Sequence, residues 1–357
     1  MDRAGSGCPG GRPGVDWEKT HTAQVPEGRC VMAAEIIDGN ALAAKMTEEV
    51  GAAAKELAAK GKPPFLVAVQ VGENPASRVY IRNQQKSCEE AGIRYRLDEL
   101  PEEARQEAVA DHIAMLNADA EVTGIILQMP LPAALDARKV QLSISPEKDV
   151  EGMHPVNMGR LMYGRPKIGP CTAMAAIECI KATGVEGEGA DAVVVGHSEI
   201  VGKPVGVLLL GLNATTSVTH IFTKDLASYT KRADILVVAA GKSQALWLRY
   251  QRALKKGEKP PLPDISPLIK ADMIKPGAVV IDVAINRIPK GFDADGQPLT
   301  YTEGKRAGKP NIITTGDADF EAAKEIASHI TPVPGGVGPV TVAMLLRNTI
   351  ECARAMR

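Results

Sequence analysis

An excess of charge of either sign is missing from this sequence: 42 Lys and Arg residues face 43 Asp and Glu residues in 357 positions. That balance argues against a nucleic-acid footprint and against an acidic interaction tail. Long hydrophobic runs are missing as well. None approaches the ~20 residues that a bilayer-spanning helix requires, so no membrane partner and a cytoplasmic location are expected. Cysteine is scarce, with six residues, none in a C-x-x-C pair, and no His cluster stands at ligand spacing. No metal site is expected, and the thiols are expected to be free in a reducing compartment. No internal repeat is evident. The stretch before Met32 is rich in Gly, Pro and charge, and it lacks the apolar core of a signal peptide. It reads as a disordered extension over residues 1–32, with Met32 a candidate for the true start.

What is present is length and alternation. At roughly 100–200 residues per domain, the chain suggests two domains. From Ala33 onward, short apolar runs alternate with amphipathic stretches. Asn40–Lys60 has helical spacing, Phe65–Val71 (FLVAVQV) reads as a strand, and Pro75–Ala91 as a helix. Strands follow at Ile93–Leu100 and Val122–Met129, with a helix between them at Ala104–Leu116. SPEKDVEGMHP, from Ser145, breaks the pattern, and a domain boundary is expected near Pro146–Pro155. A second series then offers strands at Ala192–Val195, Ser217–Phe222, Ile235–Ala239 and Ala278–Val283, with a helix at Gly202–Leu210 and a long one at Gly338–Arg357. Alternating βα units predict an α/β fold of two lobes, each built on a mostly parallel sheet. Two polar segments, Ser243–Pro267 and Pro289–Pro310, read as surface loops or insertions.

The segment AVVVGHSEIVGKP starts as a buried strand and ends as a helix start. Gly196 closes the strand, His197 and Ser198 form the turn, and Gly202 opens the helix. This is not the G-x-G-x-x-G spacing, but the physics is the same. Glycines let backbone approach a pyrophosphate, and helix-terminal N–H groups point at it. An ordinary βα turn would look similar. Two later strands running to Gly241 and Asn286 supply further carboxyl-end loops, which favours the dinucleotide reading.

Five segments act together: GHSEIVGKP, VGENPASRVYIRNQQK (Val71–Lys86), QMPLP (Gln128–Pro132), SPEKDVEG (Ser145–Gly152) and TPVPGGVGPVT (Thr331–Thr341). In content and order they resemble the methylenetetrahydrofolate dehydrogenase/cyclohydrolase family, from about Ala33 to the C-terminus. The resemblance implies a folate lobe over 33–155, completed by the final helix 338–357, a Rossmann-type NAD(P) lobe over 156–337, and a homodimer. It implies that Tyr80, Gln84 and Gln128 are the catalytic positions. Tyr80 would border the pterin, Gln128 would hydrogen-bond near the reacting centre, and Glu151 would grip the amino-pyrimidine edge. Asp317 joins the substrate set, and Pro334, Gly335 and Gly336 would wall the nicotinamide. The implied cofactor contacts are Thr172, Gly196, His197, Ser198, Ile200, Gly202, Ile221, Gly241, Ile285 and Thr341. Each has a plainer reading: Tyr80 as a helix-face aromatic, Gln128 as a strand-end amide, Glu151 as a solvated acid, Pro334–Gly336 as a helix-entry turn, and His197 and His220 as structural histidines.

The sequence also departs from the family. Bifunctional members carry Tyr-x-x-x-Lys, and here the lysine position is Gln84. Position i+4 lies about 40° around a helix from Tyr80, whereas Lys86 at i+6 lies about 240° around and points elsewhere. Hydride transfer needs positioning and no obligatory protein acid. Hydrolysis of a methenyl bridge is acid–base work, and an amide does not titrate. Dehydrogenase activity with weak or absent cyclohydrolase activity is therefore expected. The full bifunctional enzyme and a non-catalytic nucleotide-binding module are the alternatives. Glu151 stands where the family has Asp. A 2′-phosphate needs a cation or several donors, and His197 and Ile221 offer no permanent charge. NAD is favoured over NADP.

Overall fold

The computed structural model describes residues 33–73 and 78–356. The N-terminal extension and the Asn74–Ser77 part of the Asn-Pro-Ala-Ser segment lie outside the described residues.

Two sheets organise the chain. The first half gives β1 (Glu35–Ile36), α1 (Gly39–Ala59), β2 (Phe65–Val71), α2 (Arg78–Glu90), β3 (Arg94–Leu100), α3 (Gln106–Ala118), β4 (Gly124–Leu127), α4 (Ala137–Leu142) and α5 (Pro155–Met162). Strands β3-β2-β4 form a parallel three-stranded sheet. All seven residues of β2 are buried, which is why FLVAVQV reads as one apolar run: helices cover both faces. Edge strand β3 alternates in exposure and carries Arg96 and Asp98. Helix α1 is capped by Asp38, whose carboxylate accepts from the amides of Asn40 and Ala41, and it buries the stripe Met46, Val50, Ala54 and Leu57.

The second half gives α6 (Cys171–Ala182), β5 (Asp191–Val195), α7 (Gly202–Leu210), β6 (Thr215–Thr219), α8 (Leu226–Thr230), β7 (Ile235–Val238), α9 (Lys242–Lys255), β8 (Val279–Asp282), β9 (Asn286–Pro289), β10 (Ile312–Thr315), α10 (Phe320–Ala323), β11 (His329–Ile330) and α11 (Val337–Ala355). The large sheet has the order β1-β11-β8-β7-β5-β6 and is parallel throughout. The chain leaves β5 toward β6, then crosses back past β5 to β7. The strand order therefore reverses between β5 and β7, where open α/β sheets bind ligands at their carboxyl ends. Helix α11 packs on α1 and α6, and also touches β2 and β4 of the small sheet. Among the described residues, no helix is long and apolar enough to cross a membrane.

Two features differ from the sequence expectation. The first two strand residues after Ala33, β1, pair with β11 at the edge of the large sheet. Ser243–Pro267 is not a loop throughout: α9 takes up residues to Lys255, because Trp247 is buried and stacks on Tyr250 (5.7 Å) and against Phe292 (5.9 Å). Pro289–Pro310 begins and ends beside an antiparallel hairpin, β9 with β10. In the first of these segments the polar residues are the solvent side of α9, and composition alone hides the buried side.

Candidate active site

Helix α2 carries Gln84 into the interior, where it is 2% exposed. Its Oε1 accepts from Gln128 Nε2 at 2.8 Å and from the Tyr95 hydroxyl at 3.2 Å. Two donors thus fix the orientation of the amide, and Nε2 is buried with no partner among the described residues. A buried unpaired N–H costs about 1–3 kcal/mol, so such a group stands out. Gln128 follows β4, and its own amide nitrogen donates to Val69 O at 2.8 Å. Tyr95 is a site neighbour that sequence motifs missed, because it sits on a different strand with no spacing signal. The backbone of Tyr80 lies in α2, and its side chain lies outside the described residues. Lys86 is exposed and pairs with Glu90 at 3.6 Å, away from Gln84.

Glu151 lines a cavity of about 120 Å³. Thr172, Ile200 and Thr341 line the same cavity, as do Ile126 and Leu345. One implied substrate residue and three implied cofactor residues therefore meet there. Ile126 is two residues before Gln128, so both side chains project to the same side of β4. Burial, and then the charge of Asp149, pushes the Glu151 carboxyl up to about 7, against a 3.5 Å hydrogen bond from Gln141. Asp149 is itself buried, and accepts from the His154 amide (2.7 Å) and Asn157 Nδ2 (3.0 Å). A carboxylate placed this way is a strong acceptor pair at the floor of a mostly apolar cavity.

A larger cavity of about 430 Å³ is lined by Pro334, Gly335, Gly336, Ile285 and Asp282. Gly338 and Pro339 border it, and Thr341 borders the smaller cavity, so both lie along the first turns of α11. The Pro-Gly-Gly segment is held against the start of α1. Gly39 N donates to Gly335 O at 2.9 Å, and a Cβ on Gly39 would lie 1.8 Å from Gly336 O. Burial raises Asp282 to about 7, although its carboxylate accepts from the amides of Ala284 (3.1 Å) and Ala318 (2.7 Å). Asp282 carries no local sequence signal, because it is the last residue of an otherwise apolar strand.

The β5–α7 turn forms a close backbone cradle. Gly196 has φ +119°, and a Cβ there would lie 2.4 Å from Ala239 O. A Cβ on Gly202 would lie 2.0 Å from Gly196 O. Only glycine fits at either point, which is the condition for close approach to a pyrophosphate. Ser198 Oγ accepts from the amides of Val201 (3.1 Å) and Gly202 (3.4 Å), so two of the helix-start donors expected to face a ligand are engaged within the turn. Glu199 reaches Arg138 of α4 at 2.7 Å, tying the turn to the region of the small sheet. Both side chains are exposed, and such pairs contribute little stability. His197 and His220, at the carboxyl ends of β5 and β6, have ring centroids 4.9 Å apart. Ile221 beside them is 88% exposed and Ile200 55%.

Asp317 is 1% exposed and saturated by protein donors. Oδ2 accepts from the amides of Ala240 (3.1 Å) and Gly241 (2.6 Å), and Oδ1 from Lys242 N (3.1 Å) and Asn286 Nδ2 (3.0 Å). It caps α9, whose N-cap Gly241 is left-handed with φ 62°. The geometry is that of a staple holding the β7–α9 turn to Asn286. Three of its four donors lie 75 to 77 residues upstream and Asn286 lies 31 upstream, beyond the reach of a local motif. The four described cysteines are free, and burial pushes the Cys88 and Cys179 thiols up to about 12.

Comparison with known proteins places this arrangement. Residues 37–151 match the family model for the tetrahydrofolate dehydrogenase/cyclohydrolase catalytic domain, and residues 170–253 and 265–357 match that for its NAD(P)-binding domain. The bifunctional protein FolD of Aromatoleum aromaticum is 45% identical over 322 residues, covering 90% of this chain and 97% of that protein. The bifunctional methylenetetrahydrofolate dehydrogenase/cyclohydrolase FolD of Campylobacter jejuni has a structure with TM-score 0.75 and 38% identity, covering 90% of this chain and 99% of that one. The Trypanosoma brucei dehydrogenase-cyclohydrolase, solved with NADP and an inhibitor, has TM-score 0.74 and 33% identity over 90% of this chain and 98% of that one. With both domain models matched in order and the relatives covered almost end to end, the chain belongs to the tetrahydrofolate dehydrogenase/cyclohydrolase family.

Proposed function

We propose that this chain is a 5,10-methylenetetrahydrofolate dehydrogenase, passing hydride between the folate one-carbon bridge and NAD or NADP. The observation that carries the proposal is the meeting of Glu151 with Thr172, Ile200 and Thr341 around one cavity. In this reading residues 33–155 with the final helix form the folate lobe, and 156–337 form the cofactor lobe. The ionised Glu151 accepts two N–H groups from the amino-pyrimidine edge. Gln128 and Gln84 hold the one-carbon end by hydrogen bonds, Gln84 through its unpartnered Nε2. The Gly196–Gly202 turn receives the pyrophosphate, and Pro334–Gly336 with Ile285 flank the nicotinamide. When bound, the nicotinamide supplies the hydride acceptor. The chain's residues supply alignment and exclude water, and alignment alone is worth several kcal/mol of a barrier. Asp317 and Asp282 position the loops around the cofactor and touch neither ring. A homodimer is the expected assembly, which light scattering tests.

The second activity rests on two opposing supports. The relatives are named bifunctional, and this gives the paired dehydrogenase/cyclohydrolase reading the broader support. Gln84 favours dehydrogenase alone, because an amide held by two donors cannot shuttle a proton for hydrolysis. For the cofactor, the absence of a permanent cation at His197 and Ile221 favours NAD. A matrix of methylene-folate with NAD and with NADP, run beside a methenyl-hydrolysis assay, separates these readings. No reduction of either nicotinamide would defeat the proposal and leave a binding module.

A further inference from the structure

The cavity where Glu151 and Thr172 meet has two walls from separate stretches of chain. One holds Glu151 and Met153, and the other holds Pro170, Cys171 and Thr172 at the start of α6. Helix α11 supplies a third side through Thr341 and Leu345. Asn348 follows on that same helix face, three residues after Leu345, and it is 1% exposed. Its Nδ2 donates to Val150 O at 2.8 Å and to Gly169 O at 2.9 Å. Those two carbonyls belong to the residues immediately before each wall. One amide group, with two hydrogens, thus bridges wall to wall.

The neighbours fix this bridge. Turned by 180°, the amide would set its oxygen against two acceptors with no proton between them. Cys171 reinforces the contact, its Sγ donating to Val150 O at 3.3 Å. The walls also touch directly. Gly152 has φ +69°, and a Cβ there would lie 2.2 Å from the carbonyl carbon of Gly169. Each wall keeps its own anchors besides. Asp149, two residues before Glu151, accepts from the His154 amide at 2.7 Å and from Asn157 Nδ2 at 3.0 Å. What Asn348 adds is the separation of one wall from the other.

We propose that Asn348 is a positioning residue for hydride transfer, setting the gap between the Glu151 and Thr172 walls and so the approach of the one-carbon bridge to the nicotinamide. The inference rests on the dehydrogenase reading above. Asn348 acts through Val150 and Gly169 and touches neither ring. Reacting atoms must come within about 3–3.5 Å, and a displacement of about 1 Å costs on the order of 10²-fold in rate. Pterin and cofactor each draw mainly on one wall, so loss of the bridge falls on the chemical step and spares affinity.

The test is single turnover by the full chain with methylene-folate carrying hydrogen or deuterium at the bridge, beside calorimetric dissociation constants for folate and cofactor. Asn348→Ser keeps one hydroxyl donor on a shorter stem and cannot span both carbonyls. Its hydride step is expected to slow at least about tenfold, with both dissociation constants within about threefold and a larger isotope effect on kcat. Gly152→Ala pushes the walls apart without altering Asn348, and the same signature is expected. Ile350→Ala is the control for lost stability, since it removes a buried side chain from the same helix away from both walls; it should lower the melting temperature and leave the hydride step within about twofold. A hydride step in Asn348→Ser within about twofold of wild type, weakened binding that accounts for the loss, or equal slowing in Ile350→Ala would each overturn the proposal. If Asn348→Ser does not fold, Gly152→Ala decides by the same criteria, and if neither folds the bridge is structural and the proposal falls. No hydride transfer by the wild type would instead bring down the dehydrogenase reading, and this one with it.

Discussion

Replacing Glu151 by Gln should make the protein more stable and worse at holding folate, and both changes follow from one buried charge. The carboxyl titrates at about 7 rather than 4.5, because burial and the neighbouring Asp149 oppose its ionisation. A folded-state value above the unfolded one means stability present below the unfolded value and lost as pH rises through the folded one. The shift corresponds to an upper bound of about 3.4 kcal/mol at 1.36 kcal/mol per unit, and partial exposure reduces it to about 1–3 kcal/mol. At pH 8 the amide escapes that cost, so Glu151→Gln should melt about 2–6 °C higher, and the gain should vanish near about pH 4.5. Catalysis should move the other way. Loss of a charge-assisted acceptor worth about 1.5–3 kcal/mol should raise the folate KM roughly 10- to 100-fold at pH 8. In the wild type the ionised fraction falls from about nine-tenths at pH 8 to about one-tenth at pH 6, so its folate KM should rise about tenfold on acidification, and the variant's should stay flat. Differential scanning calorimetry and initial rates at saturating cofactor read both effects. An unchanged folate KM at pH 8 in the variant, or a wild-type KM that ignores pH, would refute the assignment of Glu151 as the pterin grip.

Other perturbations separate roles within the site. Gln84→Lys places an amine where two donors converge, which favours its neutral, base-competent form; methenyl hydrolysis should rise about 10²-fold or more over wild type. A wild-type rate already equal to that of the variant would establish that hydrolysis needs no titratable group at this position. Asp317→Asn turns one acceptor oxygen into a donor facing backbone N–H groups; it should cost about 2–4 kcal/mol in stability and raise the cofactor KM well above any change in folate KM. A selective rise in folate KM would point instead to direct substrate contact. Gly202→Ala drives a Cβ to 2.0 Å from Gly196 O, and calorimetry should find cofactor binding lost or the fold melted.

Much of the architecture is legible in the residues themselves. Strands β2, β5 and β7 announce themselves as short apolar runs because both faces are covered. The turn Gly196–Gly202 is legible because only glycine tolerates two backbone approaches under 2.5 Å. What escapes the sequence is long-range. Strands β1 and β11 are two residues each; β1 exists because it finds β11 across nearly the whole chain, and β11 is held between β1 and β8. Helix α9 hides behind its basic surface, since its order comes from Trp247 meeting Phe292 of a distant segment. The capping role of Asp317 was not legible, because its donors come from the β7–α9 turn and from Asn286. Tyr95 and Asp282 had no signal at all. Their importance lies in which amide each hydrogen-bonds, and that is a property of the folded chain.

The proposed reaction is direct passage of hydride from the folate bridge to a nicotinamide held by the β5–α7 turn. Methylene-folate deuterated at the bridge, incubated with the protein and NAD or NADP, tests it in one measurement by mass spectrometry of the reduced cofactor. One deuterium per reduced nicotinamide is the predicted result. Reduced cofactor carrying no label, or no reduction of either cofactor, would contradict it.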